Sequence, residues 1–493
     1  MRPVNSAITQ GKDFMARRRY SESTKRIITL IIGMCELILE TFVYAWFWFE
    51  SYYPELASVR ISQDGYVLGN GIKYTVNGHI VVLLIYFMLL FFFSRTYGGL
   101  RVGYDKPLDV FLSQIFTLLI VNIISYFQLS LMRNWLVSVG PILKVLFFEL
   151  VLSFIWTYVV DFLFKRFVQM PRELLLISGN HPTDDIEHKF GSRPDRFHIT
   201  KRINISADMD VLKKECLSSE YGGVIIWDIP TQKRNELVKF CYAHSIRMYI
   251  MPKITDVLVR GSDQLHLFDT PILLLREYSI KIEQRIVKRF IDIVCSLILI
   301  VLTSPIMLIT AICVHLYDKG PVFYKQVRCT VNQKPFKIIK FRSMRQDAEK
   351  DGVARLASKN DSRITPIGNF IRKVRIDELP QLFNILKGEM SFIGPRPERP
   401  EIIEQYMEEM PEFAYRMKVK AGLAGYAQVY GKYNTTPYDK LKLDLFYIQN
   451  YSVWLDIKLM LLTIKILFTP DATEGVEENQ ITAMKKQSQE NEN

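Results

Sequence analysis

IDIVCSLILIVLTSPIMLITAICVHL, residues 291–316, is long enough to cross a bilayer core, yet its flanks and its middle argue against a simple crossing. Lys288 and Arg289 precede it, and Lys325, Arg328, Lys334, Lys337, Lys340 and Arg342 follow it. A crossing would carry one basic cluster to the outer side, against the charge bias that orients membrane helices. At the centre stands Ser304-Pro305, where proline removes a backbone donor and crowds the preceding turn. At about 1.5 Å per residue each arm reaches only roughly 20 Å, short of the hydrocarbon thickness. A helix that enters, breaks and returns satisfies both the charges and the proline, with the Ser304 hydroxyl a candidate partner for a freed carbonyl. A plain proline-kinked span serves the local sequence equally well.

Upstream, apolar runs at 27–50, 78–94, 108–130 and 140–164 have the length of membrane spans. Basic residues recur on alternate connections: Arg17, Arg18, Arg19, Lys25 and Arg26, then Arg95, Arg101 and Lys106, then Lys165 and Arg166. This pattern predicts a basic cytoplasmic N-terminus over 1–26 and a four-helix transmembrane domain over 27–166 with both ends in the cytoplasm. The first run reads as an anchor, since a cleaved leader has a shorter apolar region and a small-residue cleavage site. A composition 49% hydrophobic and 13% aromatic agrees with a membrane protein. The net charge of +12 suits nucleic acid, anionic lipid or phosphorylated substrates, and charge alone does not choose among them. The six cysteines contain no CxxC pair, and the seven histidines are scattered, so neither a zinc site nor a histidine triad is expected.

From Pro171 the texture becomes α/β. RELLLIS (172–178), YGGVIIWDIP (221–230) and IRMYIMP (246–252) read as short buried strands, with DMDVLKKECLSSE between them helical or looped. An open parallel sheet over 171–277 is predicted, a Rossmann-like domain. Its first strand ends in Ser-Gly-Asn without the GxGxxG that brings a pyrophosphate to a helix N-terminus, so no dinucleotide is expected there.

The last third carries the densest polar signatures: KFRSM (340–344), NDSRITPIGNFIRKVRIDELPQLFN (360–384), GPRPERPE (394–401) and GLAGYAQVYGKYN (422–434). Arg342, Arg363, Arg372, Arg375, Arg396 and Arg399 lie close to glycines, prolines and the pair Asp377-Glu378. Rigid loops presenting guanidinium forks suit phosphate. A carboxylate beside such cations can attack phosphorus, and a second carboxylate can hold Mg²⁺ with substrate phosphates. Taken alone, the pair equally reads as a helix start, with Asp377 the cap and Glu378 in the first turn.

Together, the Ser304-Pro305 break, KFRSM, Arg372 five residues before Asp377, DELPQLFN, GPRPERPE and GLAGYAQVYG resemble the bacterial sugar transferase family, the monotopic phosphoglycosyl transferases. The resemblance runs from about Lys288 to Phe468, and the preceding spans and sheet resemble the large form of that family. It implies a mainly α catalytic domain over 284–470 with a re-entrant membrane helix over 288–318. The implied reaction moves a hexose-1-phosphate from a UDP-sugar to polyprenyl (undecaprenyl) phosphate through an aspartyl intermediate. UMP leaves, and exopolysaccharide or capsule assembly begins.

Carried onto this chain, the resemblance makes Asp377 the nucleophile and Glu378 its partner, with Mg²⁺ on Asp377 and Glu378. Arg372, Arg396, Arg399, Lys340 and Arg342 are the implied phosphate and substrate contacts, and Ser304 and Pro305 the helix break. The expected setting is the bacterial inner membrane, active site facing the cytoplasm, with membrane lipids and a second copy of the chain as partners and no nucleic acid. A non-catalytic scaffold for polysaccharide assembly is the alternative. Thr330, Gln333, Ala424 and Lys432 depart from the family pattern, which leaves the tightness of the 328–336 turn open. Helices are predicted over 438–468 and a disordered tail over 471–493.

Overall fold

The computed structural model describes residues 22–58, 60–61, 67–69, 76–168, 171–179, 183–267, 269–275, 280–345, 363–431 and 435–467. Most of the basic N-terminus, Lys432 and the 471–493 tail lie outside the described residues. The chain divides into two compact units, Met1–Met251 and Pro252–Asn493.

The first unit opens with long helices where the apolar runs predict them: α1 (Glu22–Phe47), α2 (Val76–Tyr97), α3 (Pro107–Arg133) and α4 (Val139–Phe167). Helical structure continues beyond α1 through a π-turn, Trp48–Tyr52, to Ala57. Pro107 opens α3 at its first position, and Asn134 in the left-handed region closes it. All four helices are long and apolar enough to cross a membrane. Their pattern is inverted relative to a water-soluble bundle. Phe42, Trp46, Phe127 and Phe147 face outward, whereas Glu36, Gln114, Glu149 and Ser153 are fully buried.

The same unit continues with β1 (Arg172–Ser178), α5 (Asp184–Gly191), β2 (Phe197–Asn204), α6 (Met209–Cys216), β3 (Gly223–Trp227), α7 (Thr231–Ala243) and β4 (Met248–Ile250). The strands form one parallel sheet in spatial order β2-β1-β3-β4. Alternation assigns its faces. Leu175, Ile177, Val224 and Ile226 pack with Leu212 and Leu237, while Leu174, Leu176 and Ile225 meet Ile186, Phe190 and Tyr249. Both faces are covered, as a parallel sheet requires. The sequence expectation included β1, β3 and β4 but not β2, whose FHITKRIN is an exposed edge strand without an apolar run.

In the second unit, α8 (Ile282–Asp318) is assigned as one continuous helix with Pro305 inside it. It too has the length and composition of a span. Proline 305 has no N–H for the carbonyl of Val301, and the Ser304 hydroxyl donates to that carbonyl at 2.8 Å. Both ends of α8 seat on the compact core formed by the residues that follow it. Near its start Lys288 reaches Asp456 at 2.6 Å, and Asp292 accepts from Ser391 Oγ and Phe392 N, each at 2.9 Å. Near its end Val314 packs with Phe341 and Ile371, and Asp318 pairs with Arg342.

The core is built from the antiparallel hairpin β5 (Phe323–Cys329) and β6 (Pro335–Phe341), then α9 (Pro366–Lys373), α10 (Gln381–Lys387), β7 (Ser391–Ile393), α11 (Pro400–Glu409), β8 (Gly422–Ala424), α12 (Pro437–Gln449) and α13 (Val453–Leu467). β7 and β8 pair in parallel. Phe336, Ile338, Leu382, Ile385, Phe392, Phe413, Leu441 and Leu445 form the main apolar cluster. The 328–336 turn is tight without glycine: Thr330 N donates to Lys334 O at 2.9 Å, and Asn332 and Gln333 take left-handed φ values of 55° and 58°.

Candidate active site

Asp377 and Glu378 do not start a helix. They sit in a 3₁₀ turn, Ile376–Glu378, entered through Arg375 at φ 58°, and α10 follows Pro380. The N-cap position of α10 is Pro380 and that of the 3₁₀ turn is Arg375, so Asp377 stands at neither and the helix-cap reading fails on geometry. The left-handed step at Arg375 lets the chain leave α9 sharply, so that Arg372 in its last turn and the acid pair stay close together.

The surrounding elements fix this turn. Thr365 caps α9 by accepting from Gly368 N at 2.9 Å, and Pro366 takes the first helical position. Thr365 N donates to Ser343 O at 3.0 Å, joining α9 to the end of β6. A Cβ on Gly368 would collide with that same Ser343 carbonyl, so glycine allows the close approach. On the other side Asn384, fully buried in α10, accepts from Ile339 N at 3.0 Å and donates to Lys337 O at 2.9 Å. Lys340 on β6 is thereby held in register with the acids.

Glu378 Oε1 is the hub. It accepts from Lys340 Nζ at 3.1 Å and Arg396 Nη2 at 2.9 Å, with Arg375 Nη1 at 3.6 Å. Burial alone would raise the Glu378 carboxyl, but Lys340, Arg396 and Arg375 outweigh it and hold the group well below the usual carboxylate range. Glu378 and the nearby charges push the Arg396 guanidinium upward, whereas burial pulls the Lys340 ammonium down.

Asp377 is treated oppositely. It is buried, and its Oδ1 has no hydrogen-bond partner. Burial and the adjacent Glu378 charge raise its pKa to about 6, against the opposing pull of Lys340, Arg372 and Arg375. One carboxylate is thus clamped by cations that favour its charged form; its neighbour is desolvated with an oxygen unengaged. That is the environment of an activated nucleophile among cations.

Of the residues singled out in the sequence, the structure gathers Lys340, Arg372 and Arg396 around Asp377 and Glu378. Arg399 stands at the start of α11, near Arg328. Arg342 points elsewhere, to Asp318 at the end of α8. Sequence reasoning left out Arg375 as a partner of Glu378, and Asn384 and Arg416 as supports. Arg416, buried against Asp444, donates to the Arg396 carbonyl at 3.0 Å. Glu398 in the same loop is engaged by Lys440, Arg416 and Arg328; burial would raise it, but these cations bring it to about 2.

The carboxylate pair fits Mg²⁺ in number, since that ion takes one or two carboxylates together with substrate phosphates, and Asp377 Oδ1 is an orphaned buried acceptor. Among the described residues no group of three acidic, His or Cys ligands forms a metal centre. Any ion here would depend on the substrate for the rest of its shell.

Residues 283–470 match the bacterial sugar transferase family. An Aeromonas hydrophila protein named UDP-N-acetylgalactosamine-undecaprenyl-phosphate N-acetylgalactosaminephosphotransferase is 32% identical over 402 residues, covering 80% of this chain and 86% of its own. The UDP-glucose:undecaprenyl-phosphate glucose-1-phosphate transferase of Escherichia coli is 40% identical over 211 residues, 42% of this chain and 44% of its own. The undecaprenyl-phosphate galactose phosphotransferase of Salmonella typhimurium is 34% identical over 250 residues, 46% of this chain and 50% of its own. Against the last two, the match spans half of the relative's length or less.

Proposed function

The chain belongs to the bacterial sugar transferase family, and we propose that it transfers a sugar 1-phosphate from a UDP-sugar to polyprenyl phosphate through a covalent intermediate on Asp377. The observation that carries this reading is the division of labour between the acids: Glu378 neutralised by Lys340, Arg396 and Arg375, and Asp377 buried with Oδ1 unpartnered.

In the first step an Asp377 carboxylate oxygen attacks the phosphorus that bears the sugar. The bond from that phosphorus to the bridging oxygen breaks, UMP leaves with the electron pair, and an acyl phosphate remains on Asp377. In the second step an oxygen of the polyprenyl phosphate attacks the same phosphorus. The aspartyl bond breaks, the carboxylate returns, and polyprenyl-diphosphate-sugar is released. Arg372 and Arg396 hold phosphate oxygens with their guanidinium forks, Lys340 adds a point charge, and Arg399 extends the basic rim. Mg²⁺, held by Asp377 and Glu378, would supply further positive charge to offset the repulsion between carboxylate and diphosphate. The relatives' names differ in the sugar, so the donor class is a UDP-hexose or UDP-N-acetylhexosamine. Exopolysaccharide or capsule repeat-unit assembly is the pathway such a product opens.

The proposed setting is the bacterial inner membrane, with α8 re-entrant and the site on the cytoplasmic side. Support comes from both ends of α8 docking on the same catalytic core while Val301, Leu302, Leu308 and Ile309 between them stay exposed. A core that engages both ends favours a helix that enters and returns on one side of the bilayer.

The test incubates the purified chain in lipid nanodiscs with UDP-sugars, Mg²⁺ and undecaprenyl phosphate. UMP release and a phosphosugar adduct on the Asp377 peptide are expected with one donor. Asp377→Asn should abolish both. Turnover by that variant, or product without an adduct under rapid quench, would remove Asp377 as nucleophile.

A further inference from the structure

The interior of the four-helix bundle carries a second set of carboxyl groups that the transferase chemistry does not use. Glu36, Glu40 and Tyr44 repeat every fourth residue on α1, and Glu149, Ser153, Thr157 and Asp161 do the same on α4; all are buried. The two rows run antiparallel through the bundle. Ser153 Oγ donates to Glu36 Oε1 at 3.0 Å, and Glu149 lies one turn away, joined through Tyr86 to the Tyr44 ring, which stacks on Tyr86 at 3.8 Å. Glu40, between Glu36 and Tyr44, is therefore level with Glu149 and Ser153.

These carboxyls are unequally satisfied. Glu149 accepts from Tyr86 OH at 2.6 Å and from Asn122 Nδ2 at 2.7 Å. Glu36 has the Ser153 hydroxyl on one oxygen, while its Oε2 is unpartnered. Glu40 is fully buried with both oxygens unpartnered, and its charged neighbours are Glu36 and Glu149. From α2 come Tyr86 and Ser94; from α3, Gln114, Asn122 and Ser125. The fully buried Gln114 amide, whose Oε1 accepts from Ser94 Oγ at 2.9 Å, lies beside Glu36 as a polar neighbour. Farther along α4, Asp161 is paired with Lys165 at 2.6 Å. Among the described residues, no Lys, Arg or His is paired with Glu36, Glu40 or Glu149. In a hydrocarbon setting three such groups have no internal compensation for their charge.

We propose that the bundle interior is a binding site for a single positive charge, a proton or a sodium ion, held by Glu36 and Glu40 beside Ser153 and Gln114. The inference rests on the bundle alone and does not draw on the transferase reading.

A carbodiimide tests it, because the reagent adds to a protonated carboxyl in an apolar setting, and mass spectrometry locates the adduct. The full chain in nanodiscs is treated with dicyclohexylcarbodiimide at acidic and alkaline pH, with sodium or choline chloride. Labelling of Glu36 or Glu40 is expected. Suppression by sodium at constant pH identifies the sodium ion, and suppression only by alkaline pH identifies the proton. Absence of label on both residues, or labelling indifferent to sodium and to pH, overturns the proposal. Ser153→Ala keeps both carboxyls and should shift the half-protection point about threefold or more. Glu40→Gln should change the sodium or pH dependence of the Glu36 label, while circular dichroism, read in parallel, reports that the chain is folded; an unchanged Glu36 profile would overturn the shared site.

Discussion

Arg416 Nη2 donates to the backbone carbonyl of Arg396 at 3.0 Å and is paired with Asp444 at 2.7 Å. The backbone of the residue whose guanidinium clamps Glu378 is thus held from behind by a second, buried guanidinium. Arg416→Met would leave Asp444 buried without that partner and should cost about 3–5 kcal/mol, read from chemical unfolding of the full chain. Arg416→Lys keeps the charge but not the fork, and should cost less. A Met variant as stable as the parent would show that Arg416 does not hold the loop.

Asp377→Asn should remove transfer and raise stability together. Burial and the Glu378 charge push the folded Asp377 carboxyl up to about 6, above the ordinary aspartate range, so the folded state binds the proton more tightly than the unfolded chain does. That contribution favours folding below the unfolded pKa and is lost as pH rises through about 6, leaving a cost of about 3 kcal/mol at higher pH. The amide carries no such cost. Glu378 has the opposite sign: its contribution is present above its unfolded pKa and fades as pH falls through its depressed folded value. Thermal unfolding at mildly alkaline pH should therefore place the variant above the parent, and a lower Tm would contradict the burial argument.

The pH profile gives an independent reading of the same carboxyl. If Asp377 attacks as the carboxylate, kcat/KM for UMP release should be level above about pH 6 and fall about tenfold per unit well below it. A limb displaced to the ordinary aspartate range would mean that substrate-free Asp377 is not desolvated.

Ser304 and Pro305 can be separated by topology and stability. Ser304→Ala leaves the Val301 carbonyl without the hydroxyl at 2.8 Å and should cost about 1 kcal/mol. Pro305→Ala restores the amide donor and removes the ring clash, which favours a straight helix. Membrane-impermeant labelling of cysteines placed at 286 and 318 in the parent should report one side for both. Opposite sides in the parent would sink re-entry, whereas a shift confined to Pro305→Ala would assign the bend to the proline.

Much of this arrangement is legible in the chain itself. Apolar runs near 20 residues long have few ways to be satisfied, so α1 to α4 and α8 follow from length and flanking charge. β1 and β3 follow from apolar runs buried on both faces. β2 does not, because an edge strand takes its place from a neighbour's hydrogen bonds and needs no apolar pattern of its own. In the site, adjacency and residue type single out Asp377, Glu378, Lys340, Arg372 and Arg396.

The roles came only with tertiary structure. Two neighbouring carboxylates are nearly equivalent in a sequence; burial and the direction of nearby cations separate them. Glu378 receives Lys340 from β6, Arg375 from its own turn and Arg396 from a loop 18 residues on, whereas Asp377 retains a buried oxygen with no partner. Arg342 shows the converse, a basic residue of the same motif drawn off to Asp318. Hydropathy and charge act on a segment and can be read from it, so the sequence determined the long apolar helices and the identity of the acid pair. Desolvation and ion pairing depend on what other segments bring to the same point, and so only the folded chain decided which acid is clamped and which keeps a buried oxygen without a partner.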